Sequence, residues 1–167
     1  MPEQHFGDII LIESETLESK ILGWFTGSKI NHCAIRTGEN EAESVEINKG
    51  KSVYDLSNLP PEYIGIWVLM HKDLTEKKRA DMKQHYKMIG KEYDLRRIVT
   101  MGNRIIRGIP QDMKDLQSQP NYETCSSIPA FLHAINSLKL PISNIHYSQF
   151  MPHQFYDGKY FKIERVR

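Results

Sequence analysis

The chain is poor in cysteine: Cys33 and Cys125 are its two, and they do not form a CxxC pair. This excludes a metal site built on paired cysteines and a disulfide-framed fold, and it suits free thiols in a reducing compartment. An excess of charge of one sign is also lacking. The formal net charge is +1, so no global field draws the chain toward nucleic acid or an anionic membrane. The basic clusters "EKKR" (76–79) and "LRR" (95–97) read as solvated faces, and no nucleic-acid partner is expected. No apolar run is long enough to cross a bilayer. The opening "MPEQHFGDIILIES" has no basic region followed by a long apolar core, so neither a transmembrane segment nor a secretory signal is expected. The localisation that follows is cytoplasmic, and a phage or viral protein would fit equally. The seven histidines show no HExxH-like spacing and the glycines no GxxxxGK[ST] loop, so no metal and no organic cofactor are expected.

What is present suits one ordinary globular unit. A chain of 167 residues, 40% apolar and 26% charged, is long enough for one domain with a real core and short for two. It is read as a single domain over residues 1–167. "GDIILIES" (7–14) is an apolar, β-branched strand, and "ESKILGWFTG" (18–27) is a short helix stopped by Gly27. "NHCAIRTG" (31–38) and "ESVEINKG" (43–50) are strands joined by a hairpin loop. Residues 52–63, with Pro60-Pro61, read as an irregular crossover, and "IGIWVLM" (64–70) as a third core strand.

"DLTEKKRADMKQHYKMIG" (73–90) is the clearest helix. Asp73 and Glu76 have capping-box spacing, Leu74, Met82, Tyr86 and Ile89 share a face, and Gly90 ends it. A weaker helix is predicted over 94–108 and a surface loop over 109–123. After Cys125 the stripe Ile128, Phe131, Leu132, Ile135 and Leu138 predicts a helix with Pro129 near its start. An Asp-Gly turn then leads into the closing strand "KYFKIERV" (159–166). Strands, then helices, then a strand indicate an α+β domain.

"SKINHCAIRTG" (28–38) sets a histidine beside a cysteine. On a strand, neighbours point to opposite faces, so Cys33 turns into the core while His32 is free to face a cleft. Cys125 stands at the start of a predicted helix, where unpaired N–H groups and the helix dipole favour a thiolate and can hold an oxyanion. On local chemistry alone two readings stand: a nucleophile that His32 serves, or a buried structural cysteine. Glu46 lies on the strand after His32, where a carboxylate would favour the imidazolium; an ordinary strand-face glutamate is the alternative.

The segments "GDIILI", "SKILGWFTGSKINHCAI", "SVEINKGKSVYDL", "GKEYDL", "ETCSSIPAFLHA" and "MPHQFYDGKYFKI" follow a familiar order. In that order the chain resembles the circularly permuted, YiiX/YebB-like branch of the NlpC/p60 papain-like cysteine peptidases over about residues 7–163. The resemblance implies an α+β, papain-like domain with an antiparallel sheet or half-barrel packed on helices. It implies a cysteine peptidase or amidase working through an acyl-enzyme on an amide- or peptide-containing substrate. Carried over by position, Cys125 is the nucleophile, His32 the general base and Glu46 the residue that orients the imidazole; Tyr93 and Asp94 match a further motif. Two alternatives accompany this reading. One is a lipid acyltransferase or phospholipase using the same Cys–His pair on acyl-lipid. The other is an inactive binding module, for which "CSS" replaces the Cys-Ser-Glu common in the family.

Overall fold

Ile9, Ile10, Leu11 and Ile12 are all fully buried, which a strand achieves only when both its faces are covered. In the computed structural model, which describes residues 5–46, 50–87, 92–93, 122–123, 125–142 and 150–167, these four lie in β1 (Ile9–Ser14). Then come α1 (Leu17–Thr26), β2 (Ile30–Arg36), β3 (Glu41–Glu46), β4 (Gly50–Asp55), β5 (Tyr63–His71) and α2 (Glu76–Tyr86). The two-residue strands β6 (Glu92–Tyr93) and β7 (Tyr122–Glu123), α3 (Ser127–Ile135), a 3-10 turn (Pro152–Phe155) and β8 (Phe161–Arg165) complete the order. The large sheet has six strands in the order β4-β3-β2-β1-β5-β8, every neighbour antiparallel; β6 and β7 pair in parallel. The expected α+β class is present. Among the described residues no helix is long and apolar enough to cross a membrane.

Both faces of the sheet carry a core. On one, Ile9, Leu11, Cys33 and Leu69 pack with Cys125, Ala130, Phe150, Phe155 and Phe161, and Ile35 and Val45 pack with Phe6, Met82, Ile128 and Leu132. On the other, Ile10, Ile12, Ala34, Ala42, Tyr54, Ile66 and Val68 cluster, and Leu56 and Leu59 of the β4–β5 connection lie against them. Each such aliphatic side chain contributes roughly 1.5–3 kcal/mol. Tyr54 on β4 and Tyr63 on β5 touch edge to face at 6.0 Å between ring centroids, although β3, β2 and β1 lie between their strands. A flat sheet would hold those two strands about 19 Å apart, so this sheet is strongly curled around the second core.

Several expectations change in detail. Residues 50–55, placed partly in the crossover, form β4 and pair along the whole of β3; the proline pair constrains the later residues, and Ser52–Asp55 keep strand alternation. Helix α2 is capped by Thr75, whose hydroxyl accepts from the Lys78 N–H, so Asp73 is not the cap. The face of Leu74, Met82 and Tyr86 packs inward as expected. Ile135, assigned to the buried stripe of α3, is exposed because the helix ends there and Leu138 enters the core from the following turn. Gly27 does end α1, in the left-handed conformation. The Gly90 helix stop, the predicted helix over 94–108, most of the loop over 109–123, and Asp94 lie outside the described residues.

The Gly7-Asp8 step anchors α2 to the sheet. Gly7 has φ +91°, and a Cβ there would stand 2.7 Å from the Met82 sulfur, so any other residue is strained. Asp8 is 1% exposed and takes a hydrogen bond from Arg79 Nη1 at 2.8 Å, while the same nitrogen also donates to the Phe6 carbonyl at 2.6 Å.

A histidine pair makes this core sensitive to acid. His133 is fully buried, its Nδ1–H donates to the Pro129 carbonyl at 2.8 Å, and its Nε2 has no hydrogen-bond partner among the described residues. Burial pushes its pKa down to about 3. His71 stands 5.7 Å away, ring centroid to centroid, and burial lowers its pKa as well. Both are therefore neutral in the folded protein at pH 7. A histidine whose folded pKa lies below its unfolded value of about 6.5 contributes stability that is complete above that value and drains away as pH falls toward the folded pKa. His133 alone is expected to cost about 2 kcal/mol between pH 7.5 and pH 5. Denaturant titrations at the two pH values check this. A His133→Gln variant should show a visibly smaller loss, and an equal loss would remove the assignment.

Candidate active site

Strand β2 is irregular on both sides at His32. On the β1 side the register slips between Ile12↔His32 and Glu13↔Ile30, leaving Asn31 as an extra residue. On the β3 side the ladder runs through Ile35↔Glu43 and Arg36↔Ala42. Beyond it the Ser44 hydroxyl takes over, donating to the Cys33 carbonyl at 2.6 Å. Continued by three residues, the β2–β3 register sets Glu46 opposite His32.

Tyr54, on β4 beyond Glu46, joins the two. Its hydroxyl lies 2.8 Å from His32 Nε2 and donates to Glu46 Oε1. A phenol has one hydrogen; with that hydrogen given to Glu46, the oxygen accepts from His32 Nε2–H, and Nδ1 is the nitrogen left over. Tyr54 remains a neutral phenol, because burial and then the bond to Glu46 push its pKa upward. The Cys125 thiol feels both the Cys33 side chain and the His32 imidazole electrostatically.

Cys125 is 6% exposed and lies in the turn immediately before α3, as expected of a residue at the helix entrance. Next to it the Ser126 hydroxyl donates to the Phe150 carbonyl and pins that turn to the segment leading into the 3-10 turn. The neighbouring Cys33 side chain holds the Cys125 pKa well below the ordinary thiol value, outweighing burial, and the charge of His32 acts in the same direction. Cys33 behaves oppositely: burial, then its contact with Cys125, raise its pKa well above the usual value. The two thiols are thus shifted in opposite directions, Cys125 downward and Cys33 upward.

The structure thus brings together Cys125, His32 and Glu46, with Tyr54 between the last two. Cys33 points into the core as the strand argument requires, but that core contains Cys125. The Cys33 thiol donates to the Cys125 carbonyl at 3.1 Å. Tyr54 escaped the sequence reading because its strand was assigned to the crossover; the alternation of Ser52–Asp55 beside the "SVEI" strand was the available signal. The contact role of Cys33 had no local signal, since it depends on which face α3 covers.

A cavity of about 490 Å³ is lined by Glu13, Lys20, Lys29 and Asn31 among others, and Cys125, His32, Tyr54 and Glu46 are not in its wall. Asn31, next to His32, ties α1 to β1 there, its Nδ2 donating to the Ser14 carbonyl at 3.3 Å and to the Ser19 carbonyl at 3.4 Å. Among the described residues no three His, Cys, Asp or Glu side chains converge as a metal cage. No family model matches the chain, and no curated protein matches it.

Proposed function

We propose that this protein is a cysteine hydrolase of papain-like architecture, a peptidase or amidase of the permuted NlpC/p60 type. The observation that carries the reading is the hydrogen-bonded run from His32 through Tyr54 to Glu46, with His32 acting electrostatically to lower the pKa of the Cys125 thiol. A nucleophile, a base in contact with it and a group orienting that base are what acyl transfer needs. The thiolate of Cys125 attacks the carbonyl carbon, and N–H groups at the entrance of α3 hold the oxyanion. The His32 imidazolium passes its proton to the departing amine as the carbon–nitrogen bond breaks. Neutral His32 then draws a proton from water, whose oxygen attacks the acyl-enzyme and releases the acid and Cys125. Tyr54 and Glu46 keep the ring turned toward sulfur through both halves.

The test combines labelling with turnover. Iodoacetamide at pH 6–7 should alkylate Cys125 rapidly, with Cys33 untouched until the protein is unfolded. Peptide and amide substrates should then turn over with a burst of acyl-enzyme, and turnover should be lost in Cys125→Ala. Cys125 reacting no faster than a free thiol, together with no turnover of amides, would leave the binding-module reading in its place. Turnover confined to acyl-lipid vesicles would favour the acyltransferase.

A further inference from the structure

Cys33 takes no proton and touches no substrate in the hydrolysis just described, yet its thiol is held against the nucleophile. It sits fully buried on the central strand β2, in one cluster with Cys125, Phe150 and Phe155. Its sulfur is 3.1 Å from the Cys125 carbonyl oxygen. Both cysteines are free. A thiol packed against the Cys125 backbone supplies redox chemistry that an alanine or valine of the same core would not.

We propose that Cys125 and Cys33 form an oxidisable dithiol site, with hydroperoxides as its substrate class and a reversible intrachain Cys33–Cys125 disulfide as its product. The proposal stands on the packing of the Cys33 thiol against Cys125 in one core cluster and not on the hydrolase reading. The first step is attack of the Cys125 thiolate sulfur on one oxygen of hydrogen peroxide. An S–O bond forms, the O–O bond breaks, and the departing hydroxide leaves as water with the proton carried by His32. Cys125 is now a sulfenic acid. In the second step the Cys33 sulfur attacks that sulfur: an S–S bond forms, the S–O bond breaks, and hydroxide leaves as water with the Cys33 proton. The two sulfurs together lose two electrons and the two peroxide oxygens are reduced.

The arrangement divides the roles as such chemistry requires. The cysteine with thiolate character is the one with residual exposure, and its resolving partner is shielded until the sulfenic acid forms. One is mounted on a strand of the sheet and the other in a turn pinned by the Ser126–Phe150 hydrogen bond, and the Cys33 sulfur lies against the Cys125 backbone at 3.1 Å. The disulfide withdraws the Cys125 sulfur from His32 and protects it from over-oxidation.

The experiment uses the full chain, reduced and freed of reductant, treated with a small molar excess of hydrogen peroxide near pH 7. Intact mass, non-reducing peptide mapping and thiol counting after denaturation are the readouts. The expected result is the loss of two hydrogens, a linked Cys33–Cys125 peptide, no alkylatable thiol, and full return of both thiols with dithiothreitol. Cys33→Ser should instead gain oxygen at Cys125 and fail to recover, and Cys33→Ala serves equally if the serine folds poorly. Oxygen addition to the unaltered chain with Cys33 still alkylatable, a disulfide between chains, or no oxidation at all would each overturn the proposal. A negative turnover test leaves this outcome untouched, since mass and thiol count are read without an amide substrate.

Discussion

A His32→Ala variant is expected to hydrolyse amide substrates about 10²–10⁴-fold more slowly than the unaltered protein, the loss that follows removal of a general base. The same variant should change the pH dependence of Cys125 alkylation in a defined direction. With Cys33 and His32 in place the thiol is held well below its ordinary pKa. It therefore loses its proton at lower pH than an ordinary thiol. The alkylation rate of the unaltered chain should begin to fall at a lower pH than that of His32→Ala. Tyr54→Phe separates positioning from proton transfer. The imidazole remains, but its Nε2–H loses the oxygen that ties it to Glu46. The expected effect is a fall in kcat of about 10²-fold, the cost of misplacing a reacting group by an ångström, with KM nearly unchanged. A Tyr54→Phe enzyme with unaltered kcat and pH profile would show that the phenol does not position the ring.

The second large effect concerns Asp8. Its carboxylate is 1% exposed, and burial raises its pKa although Arg79, Arg36 and His5 all lower it. Arg79 Nη1 is its nearest cation at 2.8 Å, with Arg36 at 4.0 Å. Arg79→Met leaves a buried charge without its main partner and is expected to cost about 3–5 kcal/mol at pH 7, or roughly 10 °C in Tm for a domain of this size. The sign of the pH effect follows from the raised pKa. A carboxyl group whose folded pKa exceeds its unfolded value destabilises the fold as pH rises between the two, so the Arg79→Met deficit should shrink on mild acidification. Adding Asp8→Asn should restore most of the loss, because a neutral amide tolerates burial where a lone carboxylate does not. Thermal melts of the single and double variants decide it. A double variant no more stable than Arg79→Met would mean that the arginine acts through its bond to the Phe6 carbonyl.

Strong local patterns survived folding. The apolar run at residues 9–12 became the doubly buried central strand, Gly27 ended α1, and the Met82 face of α2 packed inward. The errors arose where a pattern was weak. The β4 strand, with its exposed Lys51 and Val53, lies at the edge of the sheet and shows little hydrophobic contrast, and the nearby proline pair drew it into the crossover. The α2 cap fell to Thr75 because hydroxyl and carboxylate candidates two residues apart compete for the same orphan N–H groups.

The site was legible in part for the same reason. Alternation along β2 sends the side chains of His32 and Cys33 to opposite faces, a local rule of the backbone that the residue order alone determines. Which groups wait on those faces is a long-range matter. The curl of the sheet carries Tyr54 and Glu46 to His32, and the packing of α3 sets Cys125 against Cys33 and within reach of the His32 charge. The residue order by itself determined the α+β class, the core strand and the helix entrance at Cys125. Only the tertiary structure decided that a tyrosine stands between His32 and Glu46, and that the Cys33 thiol packs against Cys125. Both contacts join residues far apart in the chain, and register, curl and helix placement set such contacts cooperatively, through packing that no local window of sequence contains.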